Sequence, residues 1–457
     1  MPCAICASPI ECWASTAIPW SPPVARATFA LPTLDTQALP GPESIQRWEL
    51  ANEIKFLARE NFASPSVVIS GILPVGSLLD EEGKAGCAYL TGMGLMRGTA
   101  QRTSQAIFES VESIGARLSF SAGVHSTTFM GKGLVDDLDL LLELLTEVLR
   151  SASFPKVEIE RLKAQQLTGL AIRAQDTSAQ AQMAFDELVY RDHPYRIPSD
   201  GFVESVQSIT AADLRRFHRK HYRPQGMILS VVGGVRTEKA LAAVERTLGQ
   251  WQVAGKAQIA ELPDLKPLKR EKRRSVHIVG KQQSDLIVGV AGPSRYDPDY
   301  LAAAQGNHIL GRFGMMGRIG ESVREAAGLA YYAYSAVSGG PGPGPWQVIA
   351  GINPANEERA LEIIRSEIKR FVSTLVTREE LIENQAHLIG RLPLQLESNE
   401  GVAGALTHME RYGLGLDYYQ RYPVLVAGVT RDQILHTAQR FLDPDRLAIA
   451  IAGPRKV

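Results

Sequence analysis

The segment SITAADLRRFHRKHYRPQGMILSVVGGV at 208–235 has a counterpart in GVTRDQILHTAQRFLDPDRLAIAIAGP at 428–454. In each, a Thr opens an amphipathic helix, an Arg-Pro or Asp-Pro turn follows, and a strand of small and branched residues ends at Gly. An internal repeat restricts the fold of a long chain more than its composition does, because each copy must close its own core or share one with its twin. The starts of the two copies agree as well. PSVVISGILPVGS (65–77) and SDLIVGVAGPSRYD (284–297) are both apolar, β-rich runs followed by a Pro-containing turn and a helix rich in Ala, Gly and Leu.

Within each copy the order is strand, helix, strand, paired helices, then helix and strand. DLDLLLELLTEVLR (137–150) sets Leu138, Leu141, Leu142, Leu145 and Leu149 on one helical face. NEERALEIIRSEIKRF (356–371) does the same with Ala360, Leu361, Ile364, Ile368 and Phe371. The expected fold class is α+β: two homologous halves, each a mostly antiparallel sheet with helices packed on one face, joined by a charged linker. The boundaries read as a disordered Pro-rich tail over 1–44, an N-terminal half over 45–255, a linker over 256–275 and a C-terminal half over 276–457. The linker contains ELPDLKPLKREKRR (261–274), whose prolines and charges suit an extended, solvated connection.

Composition removes several function classes. Lys plus Arg and Asp plus Glu each number 49, so no global field draws in nucleic acid or an anionic membrane. No run approaches the roughly 18 apolar residues of a membrane span, and the first 40 residues lack the basic start and apolar stretch of a secretory signal. The expected location is cytoplasmic. Cys3, Cys6 and Cys12 crowd the tail and Cys87 stands apart, which is no disulfide framework; the lone Cys3-x-x-Cys6 is given no function. Of the nine histidines only His218 and His221 form a close pair, in the basic run RRFHRKHYRP, where a solvated face is expected.

GSLLDEEGKAGCAYLTGMGLMRGT (76–99) resembles the zinc-helix region of the pitrilysin/insulinase metallopeptidases, whose pattern is Gly-x-Ala-His-Phe-Leu-Glu-His-Met-x-Phe-Lys-Gly-Thr. Gly86, Ala88, Arg97, Gly98 and Thr99 keep the frame. In that family two His at i and i+4 hold zinc and the Glu between them activates water. Aligned from Arg97-Gly98-Thr99, the His positions are Tyr89 and Met93, and the Glu position is Gly92. A phenol of pKa about 10 is neutral at pH 7, a thioether binds zinc poorly, and glycine has no base. The family's third ligand is a Glu in a later helix, and its place falls at Gly169 or Leu170, with the neutral amides of Gln165 and Gln166 a turn away. The resemblance therefore implies no catalytic residue and no metal in this chain.

GNHILGRFGMMGRIGESVREAAGLAYYAYSAV (306–337) resembles the C-terminal half of the same family, with Asn307, Leu310, Gly311, Gly317, Arg318, Arg324, Glu325, Gly328, Leu329, Ala330 and Tyr331 in register. In that family the Arg and the Tyr seven residues on reach the substrate backbone, opposite the zinc. By resemblance, Arg324 and Tyr331 bind substrate here; a guanidinium and a phenol can both donate to peptide carbonyls. Strand alternation sends Tyr331 and Tyr332 to opposite faces, so both cannot serve one site. SGGPGPGPW (338–346) reads as a β-hairpin connection.

An intact Arg/Tyr pair beside a lost zinc helix implies a noncatalytic subunit of a heteromeric zinc metallopeptidase. Such a subunit forms half of a peptide chamber. The expected partners are a zinc-bearing pitrilysin-family subunit and a peptide substrate. A non-enzymatic peptide-binding or scaffold protein of the same fold is the alternative, followed by an active metallopeptidase with atypical ligands such as Tyr89.

Overall fold

A strand that is buried along its whole length must be covered on both faces, and the strands ILSVVG and AIAIAG that end the two repeats are buried at every residue. Each lies inside a sheet of its own half. The computed structural model describes residues 30–455. In the N-terminal half the strands are β1 (Gln46–Glu49), β2 (Lys55–Glu60), β3 (Ser66–Leu73), β4 (Arg117–Ala122), β5 (Thr127–Leu134) and β6 (Ile228–Gly233), in the order β1-β2-β6-β3-β5-β4. The C-terminal half has β7 (Lys272–His277), β8 (Ser284–Ala291), β9 (Ala330–Val337), β10 (Pro345–Ile352) and β11 (Ala448–Gly453), in the order β7-β11-β8-β10-β9.

Leaving aside β1, the two orders superimpose, and so do their directions. β2 runs parallel to β6 and β7 parallel to β11, while the remaining pairs are antiparallel. The duplication extends to helix starts. Thr210 and Asp213 form a reciprocal capping box at the helix Ala211–His221, and Thr430 and Gln433 form one at the matching helix Arg431–Phe441.

The helices of each half cover one sheet face. Leu138, Leu141, Leu142, Leu145 and Leu149 are all buried on the helix Leu138–Ser151, against a core that includes Phe56, Val67, Ile69 and Val231. The corresponding face of the helix Glu357–Ser373 buries Ala360, Leu361, Ile364, Ile368 and Phe371 over Leu286, Val288, Val348 and Ile449. Each fully buried Leu, Ile or Phe contributes about 1.5–3 kcal/mol.

The opposite face of each sheet is covered by a helix from the other half. The helix Thr177–Val189 of the N-terminal half lays Ala181, Ala184, Phe185 and Val189 on Ile287, Ile349, Ala448 and Ala450 of the C-terminal sheet. In return, the helix Asn399–Tyr412 lays Val402, Ala403, Leu406 and Met409 on Leu57, Val68, Ile228 and Val232 of the N-terminal sheet. Polar contacts fix the exchange. Buried Ser230 donates to the Ala403 carbonyl at 3.0 Å, and Arg47 clamps Glu410 through two hydrogen bonds of 2.8 and 2.9 Å.

The ends of the two halves carry structure of their own. Ahead of residue 45, Asp35 caps a turn at Thr36–Ala38 and Leu39 is buried, while Cys3, Cys6 and Cys12 lie outside the described residues. The connection between the halves already pairs as β7 from Lys272, and its Leu265 and Leu268 rest against the exchanged-helix side of the C-terminal sheet. No helix of the described residues is long and apolar enough to cross a membrane.

Candidate functional site

The helix Cys87–Gly94 carries the positions of the lost zinc motif, and its start is built around a half-buried carboxylate. Asp80 accepts hydrogen bonds from the backbone N–H groups of Gly86 (2.8 Å) and Ala88 (2.7 Å), so it satisfies donors that a helix start leaves without partners. Burial outweighs these bonds and raises the Asp80 pKa to about 7. Gly86 adopts φ +95°, a left-handed conformation that favours glycine. Thr91 returns a hydrogen bond of 2.7 Å to the Cys87 carbonyl, and the Cys87 thiol, free and buried, is pushed up to about 12 by desolvation.

Tyr89 and Met93, one turn apart, are both half-buried and pack on the main core of this half. Gly92 is buried against β4: a β-carbon placed on it would stand 2.7 Å from that of Ala122. The helix therefore touches the strand where the family pattern carries a glutamate. At the third-ligand position Gly169 is exposed and Leu170 is buried in the core. Gln165 is exposed, and the Gln166 amide donates to the Asp200 carbonyl at 3.0 Å. A phenol, a thioether and a closely packed glycine are not a zinc donor set, so the residues present do not fit the metal. Among the described residues no group of three or more His, Cys, Asp or Glu could hold a metal ion.

The His218/His221 pair does not lie on a solvated face. Both rings are buried, His218 at 6% and His221 at 5% exposure. Leu214, Phe217, His218 and His221 follow the i, i+3, i+4, i+7 spacing of a core stripe, which leaves Arg215, Arg216, Arg219 and Lys220 for the outer side. His218 contacts the Leu149 carbonyl through Nε2 at 2.9 Å and stacks on Tyr222, and burial lowers its pKa to about 4.

In the C-terminal half much of the matched stretch serves as scaffold. Ser335 on β9 donates to the Asn307 side chain at 2.8 Å, tying the helix Tyr300–Gly311 to that strand. Gly311 lies directly on the Ser335 backbone, where a side chain has no room. Arg318 is buried, paired with Glu380 through bonds of 2.6 and 2.7 Å, with Glu367 3.7 Å away. These contacts hold a π-helical turn, Gly320–Ala326, a geometry that forms over-wide loops inside helices and recurs at functional sites.

Arg324 lies on that turn, partly exposed, with Glu325 at 3.4 Å. The chain reverses at Gly328 (φ +64°), buries Leu329, and enters β9, the outer strand of its sheet. Tyr331 is 75% exposed, while Tyr332 turns to the other face and donates to the carboxylate of buried Asp285. The stretch 338–344 is the connection between the antiparallel neighbours β9 and β10.

Two duplicated α+β sandwiches that exchange a helix, with an inverted-motif helix emptied of metal donors, define a peptidase-like protein. Residues 56–198 match the family described as Insulinase (Peptidase family M16), and residues 208–388 match Peptidase M16 inactive domain. The chain belongs to the M16 peptidase family. An uncharacterized zinc protease of Streptomyces coelicolor is 27% identical over 84% of this chain and 83% of its own length. An uncharacterized zinc protease of Bacillus subtilis is 22% identical over 78% and 85%. The crystal structure of a peptidase M16 inactive domain from Pseudomonas fluorescens has a TM-score of 0.84 and 27% identity, covering 90% of this chain and 98% of that one. A Helicobacter pylori protease shares the fold, with a TM-score of 0.83 at 19% identity over 91% of this chain and 100% of that one.

Proposed function

We propose that this chain is the noncatalytic subunit of a heteromeric zinc metallopeptidase of the M16 family. It forms half of a peptide chamber, and a partner subunit with an intact His-x-x-Glu-His supplies the metal. Arg324 and Tyr331 bind the substrate: the guanidinium donates forked hydrogen bonds to peptide carbonyls, and the phenol O–H donates to a carbonyl oxygen. One contrast carries the reading. The helix of the lost zinc motif is closed against Ala122 at Gly92, whereas the Tyr331 side chain stands 75% exposed at the start of an outer strand.

The test is to purify the chain gently from its own cells, identify what accompanies it, and assay zinc and peptide hydrolysis in one fraction. Arg324→Ala or Tyr331→Phe should lower the partner's turnover by about tenfold or more, as loss of a hydrogen bond to a charge-bearing group does, and leave the partner's zinc content unchanged. Unaltered turnover in both variants, or stoichiometric zinc and hydrolysis in the isolated chain, would refute the assignment.

A further inference from the structure

A second group of residues, with no part in the proposed peptide clamp, gathers where the exchanged helix Asn399–Tyr412 meets the start of the helix Tyr300–Gly311. They line a cavity of about 340 Å3 walled by Arg295, Tyr300, His408, Tyr412, Tyr418 and Tyr422, with Leu301, Ala304 and Gly339 completing the lining. Gly339 belongs to the Gly/Pro-rich hairpin connection. A β-carbon there would drive into the Tyr300 ring, so the glycine is what admits that ring to the wall.

Among the described residues no carboxylate pairs with the charge of this cavity. Arg295 is half-buried and, among the described residues, makes no ion pair with a carboxylate; its side chain donates to His408 Nε2 at 3.1 Å, and its guanidinium lies over the Tyr300 ring at 4.3 Å and near Tyr412 at 5.7 Å. Because an arginine can only donate, His408 Nε2 accepts, so the proton sits on Nδ1 and faces the Tyr419 oxygen at 3.2 Å. His408 is thereby fixed as neutral, and burial beside Arg295 and Arg411 lowers its pKa to about 4. Arg411, also without a carboxylate partner among the described residues, lies 5.5 Å from the Tyr412 ring and adds a second positive charge. The nearby Asp297 and Asp299 are both taken by Arg440.

The phenols repeat the pattern. Among the described residues, the hydroxyls of Tyr300, Tyr412, Tyr418 and Tyr422 have no hydrogen-bond partner in the protein. Burial raises the pKa of Tyr412, and that of Tyr422 to about 12, so these two stay protonated donors at neutral pH. The guanidinium and the four phenols all line the cavity, and none of them is committed to a carboxylate or carbonyl of the described residues, so a ligand there meets free donors.

The geometry points to a binding site for a carboxylate carried on a planar apolar body. The guanidinium fork and the phenol hydroxyls take the two oxygens, and the tyrosine ring faces with Leu301 and Ala304 take the body. A cavity of this size suits a single ring and its acid group. The same chemistry is offered by a free aromatic acid and by the C-terminal aromatic residue of a peptide. The site does not depend on the subunit role proposed above, because none of its residues belongs to the Arg324/Tyr331 pair.

The experiment is calorimetric titration of the purified full chain at pH 7.5 with four probes: phenylacetate, phenylacetamide, the tripeptide Gly-Gly-Phe, and the same tripeptide as its C-terminal amide. At least one acid should bind saturably, its amide about tenfold or more weakly, and Arg295→Gln should bring the acid to the level of the amide. Saturation by phenylacetate identifies a free acid, and saturation by the tripeptide alone identifies a chain terminus. Tyr412→Phe keeps the guanidinium and the ring and should weaken the acid several-fold, so the comparison stands even where Arg295→Gln does not fold. Equal binding of acid and amide, no saturation by either acid at millimolar concentration, or wild-type affinity in both variants overturns the assignment.

Discussion

The β-carbon of Ala122 on β4 stands 2.7 Å from where a β-carbon on Gly92 would be, well inside the distance that two carbon atoms tolerate. The missing base of the zinc motif is thus also a packing contact. Gly92→Ala should destabilise the protein despite alanine's better helix propensity, with overpacking of about 1–3 kcal/mol exceeding a propensity gain of about 1 kcal/mol. Ala122→Gly in the same chain should recover part of the loss. Urea midpoints of the two single variants and the double would show a favourable coupling, and simple additivity would mean that the two positions do not press on each other.

Rebuilding the motif should accordingly fail. Tyr89→His, Gly92→Glu and Met93→His combined would place a long acid where the backbone of β4 approaches, still without a third ligand, because Gly169 is bare and Leu170 lies in the core. The expected result is a destabilised chain with no stoichiometric zinc after dialysis. Tight zinc binding by this triple variant would show that the helix and β4 separate easily.

The exchanged helices make the halves depend on one another. Leu406 is fully buried and sits on the N-terminal sheet although it belongs to the C-terminal half, and Phe185 does the reverse. Leu406→Ala should cost about 2–5 kcal/mol and Phe185→Ala about 3–5 kcal/mol. Each should move one cooperative transition for the whole chain, read by calorimetry. Two separated transitions, one of them unaffected, would contradict the coupling.

Much of this fold was legible in the repeat: paired β-strands, Thr-capped helices and the hairpin at 338–344 all lie where their patterns put them. The exchange of helices was not. Periodicity shows which face of a helix is apolar, and Ala181, Ala184 and Phe185 supply one, but not which sheet that face finds. The hint was in ILSVVG and AIAIAG, too evenly apolar for sheets covered on one side only. His218 and His221 read as solvated from sequence because the charge of their neighbours masks a stripe begun by Leu214 and Phe217. The Arg295 cavity was invisible for a different reason. Its walls come from residues more than a hundred positions apart, and an arginine's lack of a partner is a fact of space.

Acid should weaken the fold through those buried imidazoles. His218 has a folded-state pKa lowered to about 4 by burial, against about 6.5 unfolded. Between these values the unfolded state binds more protons, so the stabilisation is fully present above pH 6.5 and is lost as pH falls through 4. For this residue alone the loss is roughly 3 kcal/mol. Asp80 and Asp186, both raised to about 7, act in the opposite sense, stabilising at low pH and losing that contribution as pH rises through 7. Only a difference between variants isolates the histidine. His218→Gln should flatten the decline in unfolding free energy between pH 7 and pH 4, and an unchanged slope would place the titration elsewhere.

The Tyr331 phenol lies in solvent, so its role can be separated from stability. Removing a hydroxyl from a side chain that is 75% exposed should alter the unfolding free energy by less than about 0.5 kcal/mol. Arg324→Ala should behave in the same way, since its ion pair with Glu325 at 3.4 Å is a partly exposed contact of about 0–1 kcal/mol. Arg318→Ala provides the contrast. That guanidinium is buried between Glu380 and Glu367, and its loss takes the cation from Glu380 while Glu367 keeps Arg370 at 2.9 Å, at a cost of about 3–5 kcal/mol. Comparing the three variants by thermal unfolding, and then by turnover with the proposed zinc-bearing partner, distinguishes contact with substrate from support of the strand. If Tyr331→Phe and Arg324→Ala melt like the parent chain yet reduce turnover, the pair acts on the peptide. If either melts early, in the manner expected of Arg318→Ala, its effect on activity reports the π-helical turn and β9 instead.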